Sequence, residues 1–94
     1  MKYVINRPPL AETFYLPPKE ALLKLKEGDL VKLIFSNDKG EIERMWVKII
    51  DQRDVSQWIG ELDNEPIGKD LKKILKPGDK VEFHPLDIIQ VWEE

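Results

Sequence analysis

The run Glu43-Arg44-Met45-Trp46-Val47-Lys48-Ile49-Ile50 constrains the fold more than any other stretch of the chain. Met45, Val47 and Ile49 alternate with other side chains, and apolar residues at every second position are typical of a β-strand. One face of this strand is wholly apolar, whereas the other combines Trp46 with basic side chains whose charged heads can stay in water. The run therefore predicts the central strand of a small, curved sheet.

Length and composition limit the class of protein. The chain has 94 residues, which is the size of one domain, so we assign residues 1–94 to a single domain. It contains no cysteine, which excludes disulfides, thiolate zinc sites and thiol catalysis. We also expect no secretory leader, because residues 1–8 show no apolar h-region, and no run approaches the ~20 apolar residues of a membrane helix. We expect a soluble, cytoplasmic protein with no membrane partner.

Further strands are predicted on both sides of the central one. Residues 29–35 alternate with Val31, Leu33 and Phe35 inward, and the turn residues 36–40 predict a hairpin into the central strand. Residues 56–62, 80–84 and 88–92 are also predicted strands, and Gly60 indicates a bulge or bend. This pattern predicts a mostly β (α+β) fold, a small antiparallel, partly open barrel of the SH3-like type with two short helices. A two-layer α+β sheet is the main alternative.

The two helices are predicted over residues 18–27 and 69–76, the first ended by Gly28 and the second by Pro77-Gly78. Gly28 and Gly78 suit the left-handed position that ends a helix, and each is followed by an aspartate. Residues 1–17, which contain Pro8, Pro9 and Pro17, are predicted to form an extended arm that lies across the core of residues 18–94. Residues 3–5 and 14–16 are the extended pieces of this arm, and a free arm that docks on a partner is the alternative.

Several blocks of the chain resemble a known family. The blocks are residues 28–35, Glu43-Arg44-Met45-Trp46-Val47, residues 60–66 and residues 78–83. In this order they are similar to the YegJ-like bacterial domain of unknown function, over about residues 14–92. The resemblance implies a bacterial protein and a recurrent single-domain module. It implies no activity, because the family has none established.

No constellation for catalysis is recognisable in the sequence. His84 is the only histidine, and acid–base work and most metal sites need a partnered one, so we interpret it as a solvent-facing strand residue. Ser36 and Ser56 lie outside any nucleophile elbow, and there is no glycine-rich phosphate loop. We expect a protein that is not an enzyme, with no catalytic, cofactor-binding or metal-binding residues.

Three features are candidate interaction sites. The first is Trp92, which we expect to be partly exposed near the chain end, unlike Trp46 and Trp58. The second is a loop that either recognises a partner or is a turn stabilised by its own side chains. The third is a lysine stripe of a predicted helix, which either contacts phosphates or is a solvated face. The loop comprises Asp63, Asn64 and Glu65, and the stripe comprises Lys69, Lys72, Lys73 and Lys76.

The function that these features favour is binding of a protein or peptide partner. We expect a small, non-enzymatic interaction module with a regulatory or immunity-type accessory role. It would use loops, an exposed strand edge or the tryptophan-bearing face. The alternative is a nucleic-acid-binding barrel that uses the lysine-rich helix. The net charge of −3 makes nucleic acid the less favoured partner, since such binders usually carry a positive field.

Overall fold

Six antiparallel strands make up most of the regular structure in the computed structural model, which describes residues 2–9 and 16–93. Five of them follow the chain in the order β1-β2-β3-β4-β5, and β6 pairs with β2. The sheet curls into an open half-barrel, which confirms the predicted small, antiparallel and partly open barrel. The strands are β1 Tyr3–Asn6, β2 Leu30–Asn37, β3 Ile42–Asp51, β4 Trp58–Leu62, β5 Lys80–Phe83 and β6 Gln90–Val91.

The core lies on the concave face of the sheet, as the alternation predicts. Val31, Leu33 and Phe35 of β2 are fully buried, and on β3 Val47 and Ile49 are fully buried as well. The two strands form the predicted hairpin. Burial of alternate residues on one face fixes the register, because a slip by one residue would turn every apolar side chain to solvent.

Gly60 lets β4 approach β3 closely. A Cβ at this position would lie 2.3 Å from Val47 Cγ1 and 2.9 Å from the Lys48 carbonyl oxygen. Gly60 pairs with Ile49 next to a register shift between Ile49 and Asp51, so the predicted irregularity is confirmed. Only a residue without a side chain fits against the neighbouring strand here.

Gly28 and Gly78 have the predicted left-handed backbone, with φ of 99° and 93°. They do not cap helices, however, and that part of the prediction is wrong. The helix α1 spans only Lys19–Leu23, and Gly28 lies in a separate turn closed by a bond from Asp29 N to Lys26 O at 3.1 Å. The second turn, at Gly78, is closed by the equivalent hydrogen bond, in which the Asp79 N–H donates to the Lys76 carbonyl at 3.1 Å. In both, the aspartate carboxylate also accepts the lysine N–H, so each turn is held by its own side chain before a strand begins.

The second predicted helix, over residues 69–76, is also corrected by the structure. Only Leu71–Lys73 are helical, as a single 3-10 turn, and a further 3-10 turn spans Pro85–Asp87. The reason is tertiary: the carboxylate of Glu41, just before β3, accepts the main-chain N–H groups of Asp70 and Leu71 at the start of this segment, and Leu71 is fully buried. Because its first N–H groups are bound by a distant carboxylate and Leu71 is held in the core, residues 69–76 do not form an independent α-helix.

The start of the predicted arm is part of the sheet. β1 pairs with β2 from Tyr3 opposite Asn37 to Asn6 opposite Ile34, so residues 3–5 are extended as predicted. Tyr3 and Ile5 pack against the core cluster. The second extended piece, predicted over residues 14–16, lies outside the described residues except for Leu16.

Candidate functional site

The two edge strands of the open barrel face each other across a cleft of about 670 Å³, here called the seam. In the described part of the chain, β1 pairs only with β2 and β5 pairs only with β4. Each edge therefore has one side that pairs with no other described strand. The seam is lined by Tyr3, Ile5, Ser56, Gln57, Lys80, Glu82, Phe83, His84 and Asp87.

Opposite charges join the two edges at one end of the seam. Arg7 follows β1, and its Nε lies 3.1 Å from Oδ1 of Asp87, whose side chain is largely buried. On the β1 side, partial burial raises the pKa of the Tyr3 hydroxyl, and the nearby charges of Asp79 and Glu82 raise it further. Tyr3 thus stays a neutral phenol that reaches toward acidic groups of the β5 edge.

An apolar hollow of about 450 Å³ lies at the end of the barrel where β3 and β5 finish and α1 packs. Three side chains around it are unusually exposed for apolar residues: Leu23 at 75%, Val55 at 88% and Leu86 at 55%. Trp58 is half-buried in its wall and contacts Phe83 edge-to-face with ring centroids 6.2 Å apart. An exposed apolar cluster of this kind marks an interaction surface in many proteins.

His84 lines both the seam and the hollow, so the two cavities are adjacent, and together they are here called the seam–hollow surface. The residue is half-buried just after β5, and its ring is engaged locally. Nδ1 accepts the Leu86 N–H at 2.9 Å, while the His84 N–H donates to Asp87 Oδ2 at 2.9 Å. The predicted solvent-facing strand histidine is therefore a capping residue that shapes the join between the two cavities.

A tryptophan pair marks a third groove, of about 470 Å³, on the convex face. The rings of Trp46 and Trp92 meet edge-to-face with centroids 5.3 Å apart, and Lys32 Nζ lies 4.9 Å from the centroid of the Trp46 ring. Trp92 is 53% exposed, so the predicted partial exposure is confirmed. Pro17 of the arm and Pro18, which precedes α1, form another wall of the groove, so the chain itself covers part of this aromatic surface.

The predicted loop of Asp63, Asn64 and Glu65 lies beside this pair. The Trp46 main-chain N–H donates to Oδ1 of Asn64, and the Asp63 N–H donates to the Trp46 carbonyl at 2.9 Å. Asn64 therefore continues the pairing of β3 beyond the end of β4. This favours the interpretation of the loop as a stabilised turn, although Asp63 and Glu65 remain exposed.

The predicted lysine stripe does not exist as one helical face, because its segment contains a single 3-10 turn. All four side chains, Lys69, Lys72, Lys73 and Lys76, are exposed. Lys73 Nζ lies 3.5 Å from Asp70 Oδ1, so one of the charges is partly balanced. A screened surface pair of this kind contributes little to stability.

Sequence reasoning missed the role of Glu41 and Glu43. The Glu41 carboxylate accepts the N–H groups of Asp70 and Leu71, and the Glu43 carboxylate accepts those of Ile67 and Gly68. Two side chains at alternate positions, Glu41 just before β3 and Glu43 within it, thus bind a loop about 25 residues further on. The only sequence signal for these contacts is a pair of glutamates two residues apart near the start of a strand. Solvent-exposed glutamates without such contacts show the same spacing.

The fold and these surfaces define the class of protein as a small open β-barrel with a cleft between its edge strands. Among the described residues, no three histidine or acidic side chains gather to hold a metal ion, and no helix is long and apolar enough to span a bilayer. No protein-family model, curated protein or solved structure matches the chain.

Proposed function

We propose that this protein is a non-enzymatic module that binds a segment of a partner protein at the seam–hollow surface. The observation that supports the proposal is the convergence of exposed Leu23, Val55 and Leu86 on one hollow that adjoins the cleft between two edge strands. Removing such side chains from water on binding contributes about 25 cal/mol per Å². We further propose a regulatory or immunity-type accessory role, which fits the small size of the chain, in the bacterial cytoplasm, where the YegJ-like resemblance bears only on the bacterial origin.

Nucleic-acid binding is the second candidate, and it has weaker support. Four exposed lysines within residues 69–76 are its basis, but they share no helical face and Lys73 pairs with Asp70. The chain also carries 18 acidic and 15 basic side chains, which weakens long-range attraction to phosphates.

The experiment is selection of peptides from a random library on the parent protein, followed by affinity measurements with charged variants. Val55→Asp and Leu86→Asp each place a carboxylate in the hollow, and both residues are exposed enough for the fold to persist. Ile67→Asp is the matched control, because Ile67 is 84% exposed but does not line the hollow. We expect the first two variants to bind selected peptides at least about tenfold more weakly and the control to bind them unchanged. Failure to enrich any peptide, or equal binding by all variants, would contradict the proposal.

A further inference from the structure

The direction of the two edge strands determines how a further strand could pair with them in the seam. Every neighbouring pair along β1-β2-β3-β4-β5 is antiparallel, so β1 and β5 run in the same direction. The two edges therefore cannot close on each other in the antiparallel manner of the rest of the sheet. One added strand, antiparallel to β5, would be antiparallel to β1 as well.

The size of the seam corresponds to a short strand. A residue in a sheet occupies about 160 Å³, the product of its rise, the spacing of strands and the spacing of packed layers. The seam of about 670 Å³ therefore holds about four residues. β1 and β5 each contain 4 residues, so the cleft and its two edges agree in length.

The main chain of β5 offers hydrogen bonds to such a strand. The Leu62 N–H donates to the Asp79 carbonyl at 2.9 Å, so the main-chain groups of Asp79 face β4. Along a strand these groups point alternately to one side and the other. In the register of β4 and β5, Lys80 and Glu82 then direct their N–H and C=O groups away from β4 and into the seam. Their charged side chains discourage indiscriminate edge-to-edge association.

From these relationships we propose that the seam accepts a four-residue extended segment of a partner protein as an added β-strand, antiparallel to both edges. The inference rests on the proposed function and specifies how the partner binds. Side chains of the segment that face inward meet Tyr3, Ile5 and Phe83, so alternate residues of the ligand are apolar. The others face solvent beside Lys80 and Glu82 and are polar.

Orientation follows from the same geometry. The hollow lies beyond the C-terminal end of β5, where His84, Pro85 and Leu86 form its wall. The N-terminus of an antiparallel strand lies at that end, so an apolar residue preceding the four-residue segment enters the hollow.

The test is an NMR titration of ¹⁵N-labelled protein with a blocked peptide in which a phenylalanine precedes alternating valine and threonine. A second peptide of the same sequence carries N-methyl groups on the residues that would donate to β5. We expect the amides of Lys80 and Glu82 to shift downfield with the first peptide and the second to bind at least about tenfold more weakly. N-methylation leaves the protein unchanged, so a failure to fold cannot cause the difference.

Two protein variants supply the matched comparison. Glu82→Pro removes an edge N–H that does not pair with β4, whereas Glu82→Ala keeps this N–H and removes only the carboxylate that accepts the Gln57 amide. We expect Glu82→Pro to bind the unmethylated peptide as weakly as the parent binds the N-methylated one, and Glu82→Ala to bind it like the parent.

Equal binding of both peptides, with shifts confined to Val55 and Leu86, would overturn strand addition while leaving the proposed function in place. Concentration-dependent dimerisation through Lys80 and Glu82 without peptide binding would also overturn it, since a second copy would then be the occupant.

Discussion

The Glu41 carboxylate accepts the main-chain N–H of Leu71 at 2.8 Å, which joins the start of β3 to a core residue 30 positions further along the chain. The same carboxylate accepts the Asp70 N–H at 3.1 Å and the Asn37 side-chain amide at 3.0 Å. Leu71 has no exposed surface. One acidic side chain thus holds in place the segment that delivers Leu71 to the core.

This arrangement predicts a stability that depends on pH. The Asp70 N–H is the main cause of a lowered pKa at Glu41, with Leu71, Asn37 and Lys69 adding to it and partial burial opposing it. Because the folded pKa lies below the unfolded value of about 4.3, ionised Glu41 stabilises the fold fully above that value. The contribution is lost as the pH falls through the folded pKa. We expect Glu41→Gln to lower the urea midpoint at pH 7, and the difference from the parent to be smaller at pH 3.

The control for this experiment is Glu65→Gln, which changes an exposed glutamate in a neighbouring loop. Its urea midpoint should follow that of the parent at both pH values. A Glu41→Gln deficit of the same size at pH 3 and pH 7 would contradict the assignment, because a protonated carboxylic acid is a weaker acceptor for these donors.

The close approach of β4 to β3 predicts a large cost for Gly60→Ala. The new methyl group would overlap Val47 Cγ1 and the Lys48 carbonyl, and the carbonyl cannot move without disturbing the sheet. We expect a loss of about 1–3 kcal/mol in the free energy of unfolding. In a Val47→Ala background the loss should shrink by at least about 0.5 kcal/mol, since one of the overlapping atoms is gone. Urea denaturation of the four proteins measures this coupling, and strict additivity would show that Val47 does not limit the space.

The twin turns predict that Gly28→Ala and Gly78→Ala are each destabilising by about 1 kcal/mol or more. A Cβ at either position meets nothing within 4 Å, so the cost arises from the backbone alone, at φ of 99° and 93°. Thermal denaturation of both variants is the measurement. Asparagine tolerates left-handed backbone better, so Gly28→Asn should lose less than Gly28→Ala. Equal losses would indicate that something other than backbone conformation is responsible.

Because the four exposed lysines of residues 69–76 share no helical face, we predict a low affinity for nucleic acid. We expect no binding tighter than about 10 µM to single- or double-stranded oligonucleotides at physiological salt. The measurement is a fluorescence titration at two salt concentrations, with a variant in which four lysines become glutamine as the comparison. Submicromolar, salt-sensitive binding that disappears in the variant would instead favour the second candidate function. The changed residues are Lys69, Lys72, Lys73 and Lys76.

Much of the sheet could be predicted because its signals are local. Alternation along 29–35 and 43–50 identified both strands of the central hairpin and the faces that they bury. The positive φ of Gly28 and Gly78 was also predicted, although from helix caps that the structure replaces with separate turns. The helical interpretation of residues 69–76 failed, because Glu41 and Glu43 bind that segment from a distant strand and no local pattern records such a contact.

The sequence by itself determined the strands, the inward faces and the turns, because each depends on side-chain period and backbone preference within a few residues. Only the tertiary structure decided the candidate site. The seam exists because β1 and β5 are far apart in the chain yet curl toward each other, and the hollow exists because Leu23, Val55 and Leu86 come from three separate segments. Exposed residues scattered along a chain carry no periodic signal, so their convergence follows from the curvature of the sheet.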